Sequence, residues 1–347
     1  MKFCAQLSAD YPDKNYGGDR VYQDMLDQAV LADKLGFDSV SITEHHLINC
    51  LMMPAPLIFA TKIAAHTKRL KILTSIVVLP LHDMRTYAGE VVVADIFTQG
   101  RLMLGVGRGA FKYEMERLGV SMEETQDRFN ESLEVLQALL SREEVSWDGN
   151  YYKFDPITIM PRPLQNGGPQ IMMAVMNPQG IYHCTKRGFH IQTTPLSGNN
   201  QLLIDQLEAF NKGKDELGHV GQHLTLTLSR VAHVASNQQE RQRKLEAAHH
   251  YYGRFDNVFT GPGIVENGMV KPLPSKSSLE DLSESLLICT ANEMIDKLGP
   301  YADLGIDRVI LNFNFGLEAT ETLDAIQCFG EEVMPHFTCK SSMAADE

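Results

Sequence analysis

Glu44, His45 and His46 form the most chemically informative group in the sequence, because they end a segment, residues 37–46, that has the apolar rhythm of a strand. At the carboxyl end of a strand in a parallel barrel, side chains face a common mouth where reacting groups are displayed. A neutral imidazole there can accept a proton near pH 7. We predict that His45 is catalytic, that His46 points the opposite way in a structural role, and that Glu44 orients a histidine or anchors a loop. The alternative for His45 is a structural histidine with satisfied hydrogen bonds.

Arg108 is the second candidate, at the end of the apolar segment RLMLGVGRG, residues 101–109. Its glycine neighbours let backbone N–H groups face an anion, and a guanidinium binds a phosphate through two parallel hydrogen bonds. The spacing is GxGxG and differs from the GxGxxG of dinucleotide-binding folds. The pattern therefore predicts a phosphate site, with a tight turn that carries a solvated arginine as the alternative.

The composition excludes several classes of partner. The 347 residues carry a net charge of −13, which argues against nucleic acid and against an anionic membrane surface. The six cysteines show no metal-ligand spacing, so we expect reduced thiols, no metal site and a cytoplasmic location. The chain begins without the apolar core of a signal peptide and contains no run of about 18 apolar residues, so we expect no membrane span.

The elements that must position these residues alternate between strand and helix about eight times. Strands are predicted at residues 3–7, 37–46, 70–79, 101–109, 170–176, 189–193, 224–234 and 308–313. Helices are predicted at residues 21–35, 54–66, 86–98, 125–140, 178–187, 201–217, 238–252, 291–304 and 318–335. Such alternation implies a parallel sheet, and the count of eight favours a single (β/α)8 TIM barrel over an open doubly wound sheet.

Two insertions interrupt this rhythm. Residues 145–159 are predicted to form a short hairpin. Residues 251–283 are rich in glycine and proline, and we predict a loop near 253–283 that is either a lid over the site or disordered. One domain, residues 1–338, is expected, followed by a frayed tail at residues 339–347.

Five segments in order resemble the bacterial luciferase-like, flavin-dependent monooxygenase family: GFDSVSITEHH, TSIVVLP, GRLMLGVGRG, IMMAVMNP, and GIDRVILNF followed by FGEEVMPHF. The resemblance extends almost from end to end of the chain. It implies a TIM barrel that binds reduced FMN delivered by a separate flavin reductase, and a homodimer formed through helices near strands two and three. It also implies a monooxygenase that uses O2, through a C4a-peroxyflavin, to oxidise a small organic substrate.

The resemblance also implies roles for particular residues. His45 would lie beside the reactive part of the flavin ring, and Arg108 would bind the phosphate. Arg128 would reach the same phosphate, with an ion pair to Glu131 as the alternative reading of that arginine. Gly107 stands where the luciferases carry a reactive cysteine, so light emission is not expected.

Two further pairs complete the site that the resemblance implies. Met176 and Asn177 would contact the phosphate just before a helix, unless Asn177 is only the cap of that helix. Ser75 and Ile76 match the position of a non-prolyl cis peptide bond under the flavin ring, with an ordinary strand as the alternative.

Two other functions stay open at this point. A branch of the same family uses the deazaflavin F420, so the chain could instead be an F420-dependent oxidoreductase that transfers hydride. The third reading is a non-enzymatic flavin-binding protein, against which the presence of His45 and of the glycine-arginine turn argues. The substrate is undefined, because the residues that select it vary freely on a shared scaffold.

Overall fold

The computed structural model describes residues 1–11, 13–196 and 200–337. The strands are β1 (Lys2–Leu7), β2 (Ser39–Ile42), β3 (Lys71–Thr74), β4 (Val77–Val78), β5 (Leu102–Gly107), β6 (Val145–Asp148), β7 (Lys153–Ile157), β8 (Gln170–Ala174), β9 (His190–Thr193), β10 (Leu226–Val234), β11 (Val265–Glu266), β12 (Met269–Val270), β13 (Leu287–Cys289) and β14 (Arg308–Asn312). The helices are α1 (Gly18–Leu35), α2 (Pro56–His66), α3 (Met84–Phe97), α4 (Lys112–Arg117), α5 (Thr125–Ser141), α6 (Pro178–Lys186), α7 (Asn200–Leu217), α8 (Gln238–Phe259), α9 (Leu279–Ser285), α10 (Ala291–Asp303) and α11 (Ala319–Cys328). The predicted tail at residues 339–347 lies outside the described residues.

Eight parallel strands close into a barrel within the described residues. Their order around the ring is β1, β2, β3, β5, β8, β9, β10 and β14, and β14 pairs with β1 to complete the circle. These are the eight strands that the sequence predicts, and a helix follows each of them. The prediction of a (β/α)8 TIM barrel is therefore confirmed, and the open doubly wound sheet is excluded.

The interior of the barrel is apolar at depth and becomes polar toward the carboxyl ends of the strands. Cys4, Leu73, Met103, Met172 and Ile310 pack together in one buried cluster. Because strand side chains alternate between faces, the residue two positions further along points into the barrel again. In β1 and β14 these next inward-facing residues are Gln6 and Asn312, whose polar side chains line a cavity. The apolar layer thus closes the bottom of that cavity.

The predicted third strand, residues 70–79, is two shorter strands. β3 and β4 are separated by Ser75 and Ile76, and the peptide bond between these two residues is cis. The resemblance implied a cis bond at this place, and the structure contains it. β4 then pairs with β5 through Val77 and Val78.

The prediction of a loop near 253–283 is wrong at both of its ends. α8 extends to Phe259, and α9 begins at Leu279, where Ser278 and Asp281 form a capping box. Between them, β11 and β12 form a small antiparallel hairpin. The side chain of Asn257 holds this segment by bonding to the backbone on both sides, at Ile264 and Lys271. The glycines and prolines of residues 253–283 therefore lie in a segment that has defined secondary structure and is not disordered.

Two smaller features complete the comparison with the predicted elements. The hairpin predicted at residues 145–159 is present as β6 and β7. The helix predicted at residues 318–335 ends as an α-helix at Cys328 and continues as a π turn (Phe329–Val333) and a 3-10 turn (Met334–His336). Pro335 has no backbone N–H to extend a helix. None of the helices in the described part of the chain has both the length and the apolar character that a bilayer crossing needs.

Candidate active site

A cavity of about 670 Å³ opens at the carboxyl ends of the barrel strands. Its volume lies in the usual range for small-molecule and cofactor sites. The sequence-predicted residues that line it are His45, Ser75, Ile76, Gly107, Arg108, Met176 and Asn177. Arg128 is not among the described residues that line it. The barrel thus gathers seven of the eight predicted site residues around one space.

His45 is held from two sides. Its Nδ1 lies 3.1 Å from Oε2 and 3.2 Å from Oε1 of Glu114, a residue that is almost fully buried. The ring of Phe111 stacks on the imidazole at 4.3 Å between centroids. Because the carboxylate accepts a hydrogen bond, Nδ1 carries the proton in this arrangement and Nε2 is the other nitrogen. Glu114 also accepts from the backbone N–H of His46, which ties the carboxylate to the end of β2.

Glu114 and Phe111 were not predicted from the sequence. Glu114 lies in α4 and Phe111 directly precedes it, and this helix of six residues is not among the helices predicted from the sequence. A helix this short shows no clear 3.6-residue repeat, so periodicity gives little signal of it. The contact of Glu114 with His45 can therefore be recognised only in the folded chain.

Glu44 orients His46 and not His45. Its Oε1 accepts hydrogen bonds from Nε2 of His46 and from Nε2 of His82, each at 2.8 Å. Its Oε2 accepts from the backbone N–H of Val78, also at 2.8 Å. The geometry agrees with the predicted structural roles of Glu44 and His46, because one buried carboxylate joins the end of β2 to β4 and to His82.

The electrostatics of this group follow from its contacts. Burial alone raises the pKa of Glu44, but the hydrogen bonds from His46 and His82 outweigh it and hold the pKa below its ordinary value. The same hydrogen bond to Glu44 raises the pKa of His46. The cluster therefore favours a charged carboxylate beside a protonated His46.

Arg108 points to the cavity with most of its hydrogen-bond donors unused. Its Nη1 donates to Thr125 Oγ1 at 3.2 Å, and no carboxylate of the described residues pairs with it. The glycines before it are needed because neighbouring atoms leave no room for a side chain. A Cβ on Gly105 would lie 2.0 Å from the backbone oxygen of Thr74, and a Cβ on Gly107 would lie 2.4 Å from Cδ1 of Ile76. An arginine with free donors beside a tightly packed turn is able to bind an anion.

Asn177 and Met176 stand at the start of α6. Asn177 caps this helix, because its Oδ1 accepts from the N–H of Gly180 at 2.6 Å. This is the capping role that was predicted as the alternative, and it does not prevent the residue from lining the cavity. Both residues therefore lie beside the positive end of a short helix.

Arg128 has a different setting from the two that were predicted. It makes no ion pair with Glu131 in the described structure, because Glu131 accepts instead from Trp147 Nε1 and from the N–H groups of residues 150–152. Its Nε is buried without a hydrogen-bond partner. The predicted contact between Arg128 and a phosphate has no support from the cavity lining.

Two uncharged polar atoms in the cavity wall lack hydrogen-bond partners among the described residues. Gln192 Oε1 and Thr193 Oγ1 are buried and make no hydrogen bond. The Gln192 side chain also donates through Nε2 to Ser75 Oγ, next to the cis peptide bond. Because buried polar groups are nearly always paired, these free atoms indicate a polar ligand.

Aromatic rings from α8 form the outer wall of the cavity and were not predicted as site residues. Tyr251, Tyr252, Phe255 and Phe259 all line it, together with Phe111. Phe111 meets Phe255 edge to face at 5.7 Å and Phe259 at 6.2 Å. The sequence predicts that this helix ends at residue 252, so the rings of Phe255 and Phe259 fall within the predicted loop.

Comparison with known proteins shows which family the chain belongs to. The model of the luciferase-like monooxygenase family matches residues 1–308. The oxygenase component of the flavin-dependent trigonelline monooxygenase of Acinetobacter baylyi is 25% identical over 328 residues, which cover 92% of this chain and 91% of that protein.

Two solved structures share the fold. The first is the oxygenating constituent of 3,6-diketocamphane monooxygenase from Pseudomonas putida, in complex with FMN. Its TM-score is 0.77 at 18% identity, covering 97% of this chain and 99% of that one. An F420-dependent secondary alcohol dehydrogenase, in complex with an F420-acetone adduct, has a TM-score of 0.76 at 20% identity and covers 98% and 100%. At these identities the likeness shows the fold alone.

Proposed function

Because this chain belongs to the luciferase-like monooxygenase family, we propose that it is an FMN-dependent monooxygenase that uses O2 to oxidise a small organic substrate. The observation that carries the proposal is that His45, at the end of β2, and Arg108, at the end of β5, line one cavity. A flavin needs an anion site for its phosphate and a proton-handling group near its ring. The cavity contains a candidate for each.

The residues present fit a flavin nucleotide. Arg108, Met176 and Asn177 would hold the phosphate, since a guanidinium with free donors lies with them around the cavity that opens at the start of α6. Ser75, Ile76 and Gln192 would contact the ring, and the free acceptor Gln192 Oε1 would receive a hydrogen bond from it. A reduced flavin, when bound, supplies the electrons that activate O2.

His45 would manage the proton in this reaction. Its Nδ1–H is held by Glu114, so Nε2 is the atom available to bond to a reactant. Phe111 fixes the plane of the imidazole by stacking on it. A histidine held in one orientation contributes typically about 10²–10⁴-fold as a general acid or base. The aromatic wall would exclude water from the same space.

F420 is the second candidate cofactor. It also has an anionic tail that Arg108 would bind, and one of the solved structures with this fold contains an F420 adduct. In that case the reaction would be hydride transfer to or from a small substrate, without O2. The relative from Acinetobacter baylyi is described as the oxygenase component of a flavin-dependent monooxygenase, which favours FMN.

The same description supports a separate reductase as the source of reduced flavin for this chain. A homodimer is proposed from an exposed apolar surface on neighbouring helices. Ile58 on α2 is 73% exposed and Phe97 on α3 is 64% exposed, with Val93 and Ile96 beside it. Patches of this kind mark protein interfaces. We also propose a cytoplasmic location, on the basis of the cysteines.

The experiment that tests the proposal compares the two cofactors on the purified protein. Mass spectrometry of the purified protein reads out any bound flavin, and titration with FMN and with F420 gives the affinity for each. We expect saturable binding of FMN and O2 consumption when reduced FMN is supplied. Binding of F420 alone would select hydride transfer, and tight FMN binding without turnover of O2 would select a flavin-binding protein.

A further inference from the structure

Arg230 is a buried cation that has no counter-ion among the described residues. It lies on β10, is 4% exposed, and lines the cavity described above. Its Nη1 donates to the backbone oxygen of Leu196 at 3.2 Å, and its Nε is buried with no partner. One of the five donors of the guanidinium is therefore used by the described residues.

No carboxylate in the described structure pairs with Arg230. Residues 197–199 lie outside the described part of the chain and are Ser, Gly and Asn, so none of them is acidic. Another buried arginine, Arg254, does have a counter-ion. It is 7% exposed and donates hydrogen bonds to both carboxylate oxygens of Asp10, at 2.9 and 2.6 Å. Burial of an unpaired charge is strongly unfavourable, so Arg230 is poised for an anion that the chain does not supply.

The aromatic wall connects Arg230 to the candidate catalytic histidine. Arg230 and Tyr252 line the same cavity. Burial raises the pKa of Tyr252 to about 12, and the positive charge of Arg230 opposes this rise. Tyr252 contacts Phe255 at 6.5 Å, Phe255 contacts Phe111 at 5.7 Å, and Phe111 stacks on His45. A molecule lying along these rings would have one end at the guanidinium and the other at the imidazole.

We propose that the substrate is a small organic acid, that Arg230 binds its carboxylate or sulfonate group, and that its apolar body lies along the aromatic wall toward His45. This inference rests on the proposed function, because it treats the space beside the flavin as the substrate site. Arg108 lies at the end of a different strand, β5, with its own free donors, so the phosphate of the cofactor has a separate cation. A bidentate contact to a buried arginine would make the charged end of the substrate decisive for binding.

The first test compares acids with their neutral amides. Benzoate and hexanoate are the probes, benzamide and hexanamide are the matched controls, and thermal unfolding is measured with each in wild type and in Arg230→Met. We expect the acids to raise the wild-type Tm by about 2–4 °C at saturating concentration. The amides should not, and no probe should shift Arg230→Met. Equal shifts by acid and amide, or an unchanged acid shift in the variant, would overturn the proposal.

The second test uses the stability of the ligand-free protein. Arg230→Met removes an unpaired buried charge and should raise the Tm, whereas Arg254→Met leaves Asp10 buried without its partner and should lower it. Because the two variants are expected to shift the Tm in opposite directions, a general loss of stability on replacing a buried arginine can be distinguished from the predicted result. A fall in Tm for Arg230→Met as large as that for Arg254→Met would mean that the chain already satisfies this charge, and the proposal would be wrong.

The third test separates substrate from cofactor. FMN affinity should be unchanged in Arg230→Met, whereas loss of FMN affinity would assign the guanidinium to the cofactor phosphate and overturn the proposal. Wild-type protein that binds FMN but does not distinguish acids from amides would refute this inference alone. Wild-type protein that distinguishes them through Arg230 but binds no flavin would refute the proposed function and leave the acid site standing.

Discussion

Glu114 Oε2 lies 3.1 Å from His45 Nδ1, although 69 positions separate the two residues in the chain. This contact joins the end of β2 to the short helix α4, which follows β5. It binds one nitrogen of the imidazole to a buried carboxylate and leaves the other nitrogen available to a ligand in the cavity that His45 lines. The relationship makes Glu114 a positioning residue for His45, and it can be tested apart from cofactor binding.

Glu114→Gln should lower the rate of O2 consumption with reduced FMN by about tenfold to a hundredfold, because a neutral amide holds the imidazole less firmly. The affinity for FMN should stay within about twofold, since the residue does not act on the phosphate. Glu116→Gln, on the exposed side of the same helix, is the matched control and should behave as wild type. Restoration of much of the rate by Glu114→Asp is also expected. Parallel loss of FMN affinity and rate in Glu114→Gln would contradict a positioning role.

Arg108→Met and His45→Ala should separate binding from reaction. Removal of the guanidinium loses charge-assisted hydrogen bonds to the phosphate, so the Kd for FMN should rise about tenfold to a hundredfold. His45→Ala should change this Kd little and instead lower oxygenation, measured as product formed per FMN supplied. If both variants lost affinity and oxygenation to the same extent, the division of roles would be wrong.

The pair of His46 and Glu44 predicts a dependence of stability on pH. Because the hydrogen bond to Glu44 raises the pKa of His46 in the folded state, the folded protein holds this proton more tightly than the unfolded chain does. The stabilisation is therefore complete below about pH 6.5, the value for an unperturbed histidine, and is lost as pH rises through the folded pKa. Burial lowers the pKa of His190, His233 and His250, so those three groups contribute the opposite pH dependence, and they do so in wild type and in a His46→Gln variant alike. From pH 6 to pH 8.5, the urea unfolding midpoint of wild type should therefore decrease relative to that of His46→Gln. An identical pH dependence in the two proteins would show that His46 is not responsible.

Gly105 and Gly107 should respond differently to the same substitution. An alanine Cβ at position 105 would lie 2.0 Å from the backbone oxygen of Thr74, which cannot move without disturbing β3. Gly105→Ala should therefore destabilise the protein by about 3 kcal/mol or more. At position 107 the clash is with the tip of the Ile76 side chain, so Gly107→Ala should cost about 1 kcal/mol. Chemical denaturation of both variants measures the difference, and equal losses would mean that the two glycines are needed for the same reason.

The apolar surface on α2 and α3 predicts that a charge there disrupts self-association. Phe97→Glu should convert a dimer into a monomer, measured by light scattering after size-exclusion chromatography, because a carboxylate would be buried in the interface. Leu304→Glu is the matched control, since Leu304 is also an exposed apolar residue, 42% accessible, in another part of the surface. A wild-type protein that is monomeric at micromolar concentration would refute the dimer.

Much of the architecture could be predicted from local sequence patterns. Alternating strand and helix signals specified the eight barrel strands, because the two elements have different apolar periods, and each period is visible within a short window. The strand ends also located His45 and Arg108, since parallel strands of a barrel present their carboxyl ends at one face. The insertion near 253–283 was misassigned because glycine and proline indicate turns, whether a segment is ordered or not.

Only the tertiary structure showed which side chains meet. Glu114 beside His45, the rings of α8 along the cavity, and Arg230 without a counter-ion all depend on contacts between residues far apart in the chain. A short window of sequence contains no information on such contacts, whereas the closure of the barrel brings the loops after different strands into one space. The periodicity of the chain thus determined the scaffold and the positions of two candidate site residues, and the folding of the loops over the barrel mouth decided which side chains surround them.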